Sequence, residues 1–416
     1  FVEVSLGSFE LVGELIRNTR INFMVQSGEV GISIKEKFFQ ADFVDMLKLR
    51  ASYGIGGNIG RNTAPYLIAS YYDSSLVDGM AGSVNTPPNK DIRWEKTTTV
   101  NVGVDFALFR HRLSGTIEYY NKYSVDLLAA INGSPTQGFG YTTLMTNNGK
   151  MVNRGVEITL SGEIIRQKDF SWNASLLYAF NRNKVKHISV QPSLWDSRIS
   201  MPTSYPMVGK PLYGIYAYKW AGLNENGDPQ VYDAENNVTS GPARDYHALV
   251  YCGTTVPIHN ASLTNVLRYK GFEFSAMLIL DAGHKLRSSN IPSINMSNGR
   301  ITSTAKGIVD RWTQPGDVTD VPRLLFSNDT ENFNTHRTEL YRYSDLFVYD
   351  ASNIRLSNIS LAYRVPAHWC KKISLSGARL QFNVENVATF AFDSKANYDL
   401  GGKVKPNYVW GLYLNF

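Results

Sequence analysis

The sequence predicts an all-β chain that crosses a membrane as an antiparallel β-barrel, and three observations carry that prediction. Segments of alternating apolar and polar residues recur along the 416 residues, the period of a strand with one greasy face. The joints between these segments alternate short and long, as the turns and loops of membrane barrels do. The last segment, Tyr408-Val409-Trp410-Gly411-Leu412-Tyr413-Leu414-Asn415-Phe416, puts Tyr408, Trp410, Leu412, Leu414 and Phe416 on one parity. Termini of soluble domains tend to be polar and frayed, whereas a barrel strand presents about nine to eleven residues to lipid with aromatic residues at the interfaces.

Composition supports this reading. Length alone would suggest two or three soluble domains, but no break in composition divides the chain. There are 24 Tyr, 20 Phe and 7 Trp beside 33 Gly, the mean hydropathy is −0.23, and no run of about 18 apolar residues occurs, which excludes transmembrane helices. A slightly hydrophilic average fits a barrel, whose apolar residues occupy alternate positions. The net charge of +6 comes from scattered Lys and Arg, so no nucleic-acid footprint is read. Cys252 and Cys370 make neither a disulfide framework nor a metal site.

In chain order, Phe1-Val2-Glu3-Val4 already reads as strand with no signal peptide before it, so residue 1 is not expected to be the biological start. Strands are predicted at about 1–13, 20–35, 46–55, 93–109, 113–122, 153–165, 170–182, 257–270, 272–283, 348–365, 373–387 and 408–416. The clearest alternation runs through Val100–Leu108, Val156–Glu163, Phe170–Phe180 and Phe272–Leu280. In two strands the parity slips: Ile354 and Leu356 against Ile359, Leu361 and Tyr363, and Ile373 and Leu375 against Leu380, Phe382 and Val384. A bulge shifts parity in this way, and Gly377 is a plausible place for one. The long joints are 56–92, 123–152, 182–256, 283–347 and 388–407. If they are extracellular, the C-terminus is periplasmic, and Cys252 and Cys370 fall at opposite ends, too far apart to bridge. The apolar parity of Val100–Leu108 and Phe170–Phe180 then faces lipid, while Asp105, Glu118, Glu157, Glu163 and Glu273 face the lumen.

Motifs for chemistry are weak. Asn224-Glu225-Asn226-Gly227-Asp228 reads as a turn, since it lacks the twelve-residue frame of a calcium loop. Asp245-Tyr246-His247 has no nucleophile motif beside it, and His187, His259, His284 and His336 lack metal-ligand spacing. No cofactor is expected.

Several stretches resemble the SusC/RagA family of TonB-linked outer-membrane transporters. These are Leu47–Gly54, Trp94–Thr97, Arg112–Lys122, Asn148-Gly149 with Asn153–Glu157, Ala221–Pro229, Arg311–Arg323 and Tyr349–Leu361. The resemblance implies a 22-stranded barrel of which this chain carries about 12 C-terminal strands, an N-terminal plug and TonB box that have no counterpart here, and a SusD-like lid lipoprotein. It implies import of a glycan or peptide, with no bond made or broken. Gly411, Leu414 and Phe416 resemble the family's C-terminal assembly signal, from which Val409 departs where a polar residue is preferred. On this footing Tyr71, Tyr72, Trp195, Tyr205, Tyr232 and Tyr246 are expected to meet substrate or lid. Segment 283–347, anchored by Trp312, Phe326, Phe333, Tyr341 and Tyr343, is expected to meet the partner or substrate. The rival readings are an outer-membrane barrel enzyme and a secreted soluble all-β binding or adhesion protein.

Overall fold

The computed structural model describes residues 26–33, 43–58, 60, 65–73, 79–132, 143–190, 197–241, 245–296, 304–326, 335–372, 374–400 and 405–416. The predicted strand 1–13 lies outside them, as do Trp195 and Phe333.

Eleven strands pair antiparallel in sequence order into one sheet. They are β1 (Gln26–Ser33), β2 (Val44–Asn58), β3 (Glu95–Leu108), β4 (Leu113–Asn132), β5 (Thr143–Arg166), β6 (Phe170–His187), β7 (His259–Tyr269), β8 (Phe272–Ala282), β9 (Asn353–Arg364), β10 (Gly377–Ala391) and β11 (Asn407–Asn415). Among the described residues no helix is long and apolar enough to cross a membrane. A barrel crosses with strands instead, because the interstrand ladder satisfies the backbone inside lipid.

Cross-strand register separates the two faces. Leu160, Leu176, Leu263, Leu278 and Leu356 lie opposite one another from β5 to β9, and Leu49, Val104, Ile117 and Ile158 do so from β2 to β5. Nearer the short-turn end the same face carries Trp172, Leu267, Phe274, Leu361, Phe382 and Trp410 in one row. There the Phe382 and Trp410 ring centroids are 4.2 Å apart, and the Phe272 and Tyr363 centroids 4.5 Å. Trp410 is 79% exposed, as expected of an aromatic girdle at a lipid interface. Asn265, a polar residue on this face, accepts a hydrogen bond from Trp172 Nε1 at 3.1 Å, which offsets its desolvation.

The joints differ from the expectation in informative ways. β4 and β5 extend to Asn132 and back from Thr143, through what was read as the loop 123–152. Their register shifts around Ser124 and Leu127, and Asp126 has φ 57°. These bulges erase the period-two signal just where the strands continue. Segment 56–92 holds a hairpin of its own, Ile68–Asp73 with Met80–Thr86. The parity slip in β9 is a bulge at the Leu356/Asn358 step, with Asn386 at φ 52° on the opposing strand. Gly377 is not a bulge but the first residue of β10, preceded by the short helix Ala367–Lys371. Short joints close one end: 109–112, where Phe109, Arg110 and His111 all have positive φ, then 167–169 and 270–271.

At the other end, the described residues of 197–258 and 283–352 fold into a crown with its own core. Ile199, Tyr216, Tyr218, Val231, Ala248, Leu249 and Leu340 form one buried cluster, and Ile294, Tyr341 and Phe347 a second. The crown is tied to β8 and β9 by the pairing of Lys285–Arg287 with Val348–Asp350.

Placing a charge on the apolar face at mid-height costs about 2 to 4 kcal/mol. Val104→Arg should therefore impair assembly, read as loss of heat-modifiable migration on gels, while Thr159→Lys on the polar face assembles normally. Cys252 lies in the crown strand Leu249–Thr254 and Cys370 in the helix at the opposite end, both free. Non-reducing mass spectrometry should show both thiols unbridged.

Candidate functional site

The polar face of the sheet brings the predicted carboxylates into line. Lys48, Asp105, Thr116 and Thr159 occupy one row, and Arg50, Gly103, Glu118 and Glu157 the next. Glu163 and Glu273 share this face further toward the short turns, opposite Asn173 and Arg268. At the centre sits Arg50, which sequence reasoning missed. Its Nε donates to Asp105 Oδ2 at 2.8 Å, its Nη2 to Asp105 Oδ1 at 3.1 Å, and its Nη2 also to Glu118 Oε1. Thr116 Oγ1 completes the Asp105 shell at 2.9 Å. Gly103 leaves the room for this, since a Cβ there would lie 3.2 Å from Glu118 Cγ and 3.3 Å from Arg50 Nη2. The parity of β2 places Arg50 on the polar side, a signal readable in advance; its choice of two carboxylates on β3 and β4 was not. Glu273 is held by Arg268 Nε at 2.7 Å and Arg379 Nη2 at 3.2 Å. A shallow hollow of about 360 Å³ follows the same face past Glu157, Asn260, Ser262 and Asp281.

The crown rises over the long-loop end, built around two ionic hubs. Asp228 accepts from Arg323 at 3.1 and 2.9 Å and from Arg337 Nε at 2.7 Å. Arg337, whose side chain is only 3% exposed, also donates to Asn295 Oδ1 at 2.5 Å and to the Arg323 carbonyl at 2.7 Å. The turn before Asp228 is closed by Asn224 Oδ1, which accepts from the Asn226 and Asp228 amides. Gly227, at φ +73°, lets the Trp312 indole lie against it, as a Cβ there would be 2.4 Å from the ring. With its carboxylate committed to two guanidinium groups, this turn is not a cation loop. Arg287 is the second hub: it donates to the carbonyls of Tyr216, Arg342 and Ser344 and lies 5.4 Å from the Tyr343 ring centroid.

The predicted aromatics separate into kinds. Tyr71 and Tyr72, 72% and 54% exposed, stand on the Ile68–Asp73 hairpin strand. Tyr205 lies in the half-buried segment that follows the helix Ser197–Ser200, where its carbonyl accepts from Arg198. Tyr232 lies beneath Lys219 Nζ at 4.6 Å in the crown, and Tyr246 opens a short 3₁₀ turn. Tyr341 is 1% exposed and packs on Trp220 and Phe347. It anchors the segment from within the crown core. Trp312 and Phe326 are half-buried in the same body. Asp245 and His247 bond each other across a single exposed turn. Among the described residues no three His, Cys, Asp or Glu side chains converge as a metal would require.

The family described as TonB dependent receptor-like, beta-barrel, matches residues 30–387. The chain belongs to that family. Its curated relatives include TonB-dependent receptor P3 of Formosa agariphila, 26% identical over 95% of this chain and 40% of the relative. Another is TonB-dependent receptor SusC of Bacteroides thetaiotaomicron, 26% identical over 86% of this chain and 36% of SusC. The chain thus spans 34% to 40% of the length of the curated relatives it matches. A solved structure of the RagAB peptide transporter shares the fold, with a TM-score of 0.72 at 24% identity over 94% of this chain and 43% of that one. As a TonB-dependent receptor-like barrel the chain sits in the outer membrane, which gives the two-faced sheet its physical meaning.

Removing one partner of a buried ionic hub costs about 3 to 5 kcal/mol. Asp228→Asn, which strands Arg337, should loosen the crown: trypsin should cleave between residues 197 and 352 at least several-fold faster while the barrel stays intact. Desolvation, with Asp345 adding to it, pushes the Cys252 thiol up to about 11, although Arg287 and Lys285 act the other way. Since the thiolate is the reactive form, maleimide labelling of Cys252 at pH 8 should run roughly a hundredfold slower than that of a free cysteine. It should accelerate as pH rises toward 11.

Proposed function

We propose that the chain is the C-terminal portion of the barrel of a TonB-dependent importer that takes an oligomeric nutrient, a glycan or a peptide, across the outer membrane. The observation that carries this reading is the union of two features: a sheet with one lipid-type face and one charged face, and a folded crown at its long-loop end. The charged face, with Arg50, Asp105, Glu118, Glu157, Glu163 and Glu273, lines the lumen, and the long loops stand outside the cell with the C-terminus in the periplasm. A SusD-like surface lipoprotein closes over the crown, and TonB acts through the part of the protein that precedes this chain. The likeness to SusC and to the RagAB peptide transporter supports this assignment. The exposed pair Tyr71 and Tyr72 offers faces for nutrient or lid, Tyr205, Tyr232, Tyr246 and Trp195 are the further candidates named from sequence, and Trp312, Phe326 and Phe333 belong to the segment that meets the lid. Gly411 and Leu414 on β11, with Phe416 just after it, serve as the assembly signal; Phe416 is 92% exposed.

Barrel strands are stabilised by ladders and lipid, so surface aromatics on the 68–86 hairpin can be removed with little effect on folding. Replacing Tyr71 and Tyr72 together by Ala should leave the protein in the outer membrane at normal level. It should weaken co-purification of the lid lipoprotein or energised nutrient uptake by about thirtyfold, the loss of roughly 1 kcal/mol at each of two contacts. Uptake and co-purification both at the parental level would count against the crown as the capture surface.

A further inference from the structure

We infer that a cavity at the upper end of strands β3 to β6 binds an aliphatic side chain of a peptide, which would make the nutrient a peptide in preference to a glycan. This inference rests on the importer reading above. The cavity measures about 400 Å³. Its walls include Leu127, Leu128, Met145, Met151, Val185 and Leu212, and no Phe, Tyr or Trp is among its lining residues.

The cavity opens on the polar face of the sheet. Gly56, Thr97, Ser124, Met151 and Val185 form one cross-strand row, two rows above Ser52 and three above Arg50 on β2. Thr97 Oγ1 and Ser124 Oγ lie 2.8 Å apart within it. Apolar side chains are out of place on this face, and the backbone shows why they gather here. The β4/β5 register shifts at Ser124/Leu127 and again at Leu127/Leu128, and the β5/β6 register shifts at Lys150/Met151. Three breaks within one turn of sheet re-aim side chains, as bulges beside binding sites do. The roof is the segment 203–212, which contributes Ser204, Pro206 and Leu212 from outside the barrel strands.

The lining chemistry selects the guest. A sugar ring carries hydroxyls on most of its edge, and each one buried against aliphatic wall without a partner is penalised. Sugar sites offset this with stacking rings and polar arrays; the one aromatic ring among the lining residues is the His187 imidazole, whose Nε2 already lies 3.3 Å from Ser189 Oγ. Glu95, the carboxylate in the wall, is already engaged: its Oε1 accepts from the Leu128 amide at 2.9 Å and its Oε2 from Asn58 Nδ2 at 2.7 Å. A branched aliphatic side chain loses nothing on entering such a space, and Met145 and Met151 adapt to its shape. Lys150 stands exposed at the mouth with no hydrogen-bond or ion-pair partner among the described residues, so it can receive a peptide carboxylate.

The test uses the full-length transporter with its lid lipoprotein and three probes: the pentapeptides Gly-Gly-Leu-Gly-Gly and Gly-Gly-Gly-Gly-Gly, and a linear glucose pentasaccharide. Burial of one leucine side chain predicts at least about tenfold tighter binding of the first peptide than the second by calorimetry. Ser204→Trp, which fills the cavity from its roof, and Leu212→Ser, which makes the roof polar, should each bring the two peptides to within about threefold of one another. Both lie outside the barrel strands, so assembly is preserved. Equal binding of the two peptides by the parent, an unchanged ratio in both variants, or tighter binding of the pentasaccharide would overturn the inference. Uptake of the same probes in energised and de-energised cells separates the two levels. Energised uptake without leucine preference refutes the cavity assignment alone; identical uptake in both states refutes the importer reading and the inference with it.

Discussion

The structure depends above all on cross-strand register. In lipid every backbone donor and acceptor must be paired within the protein, which in this chain the ladder between strands supplies. Because side chains alternate with period two, a slip of one residue would exchange the faces. The leucine row from Leu160 to Leu356 and the charged row through Arg50, Glu118 and Glu157 are therefore two consequences of one set of hydrogen bonds. Where the register breaks, at Asp126, Met151 and Ser357, the sheet departs from that division. Two of these breaks, at Asp126 and Met151 at the top of β4 to β6, are also where the cavity forms.

Charge on the polar face is arranged rather than merely present. Arg50 binds carboxylates from two neighbouring strands, and Glu273 binds arginines from two, so each end of the face has an ionic tie that spans strands. Between them Glu157 and Asp281 border an open hollow, where Asp281 has Arg355 at 3.8 Å. These ties compensate charge across strands and keep the face polar.

The crown follows a different logic. It buries Tyr216, Tyr218, Leu340 and Tyr341 almost completely, and Asp228 and Arg287 bind segments that are far apart in sequence. Burial of Tyr341 raises the pKa of its phenol, and burial of Arg337 lowers that of its guanidinium although Asp228 counteracts this. Both effects mark a dry interior above the membrane span. Long loops that are only tethers have no such core. These pack around two buried clusters of their own.

The alternation in Val100–Leu108, Phe170–Phe180 and Phe272–Leu280, and the order of short and long joints, determined the fold class and put Asp105, Glu118, Glu157, Glu163 and Glu273 on one polar face of the sheet. These are local properties: a strand's period is written in consecutive residues, and a two-residue turn such as Lys270-Gly271 follows from its own chain. Tertiary structure alone decided the rest. Strands β4 and β5 outran their sequence signal because bulges interrupt the period. Asp228, legible only as a turn residue, became a hub because Arg323 and Arg337 arrive from 95 and 109 residues away. Tyr341, legible only as a loop aromatic, became core because Trp220 and Phe347 close over it. The cavity, likewise, is made by residues from five segments whose meeting no spacing announces, since contacts between distant segments depend on how the whole sheet and crown pack and leave no period in the chain.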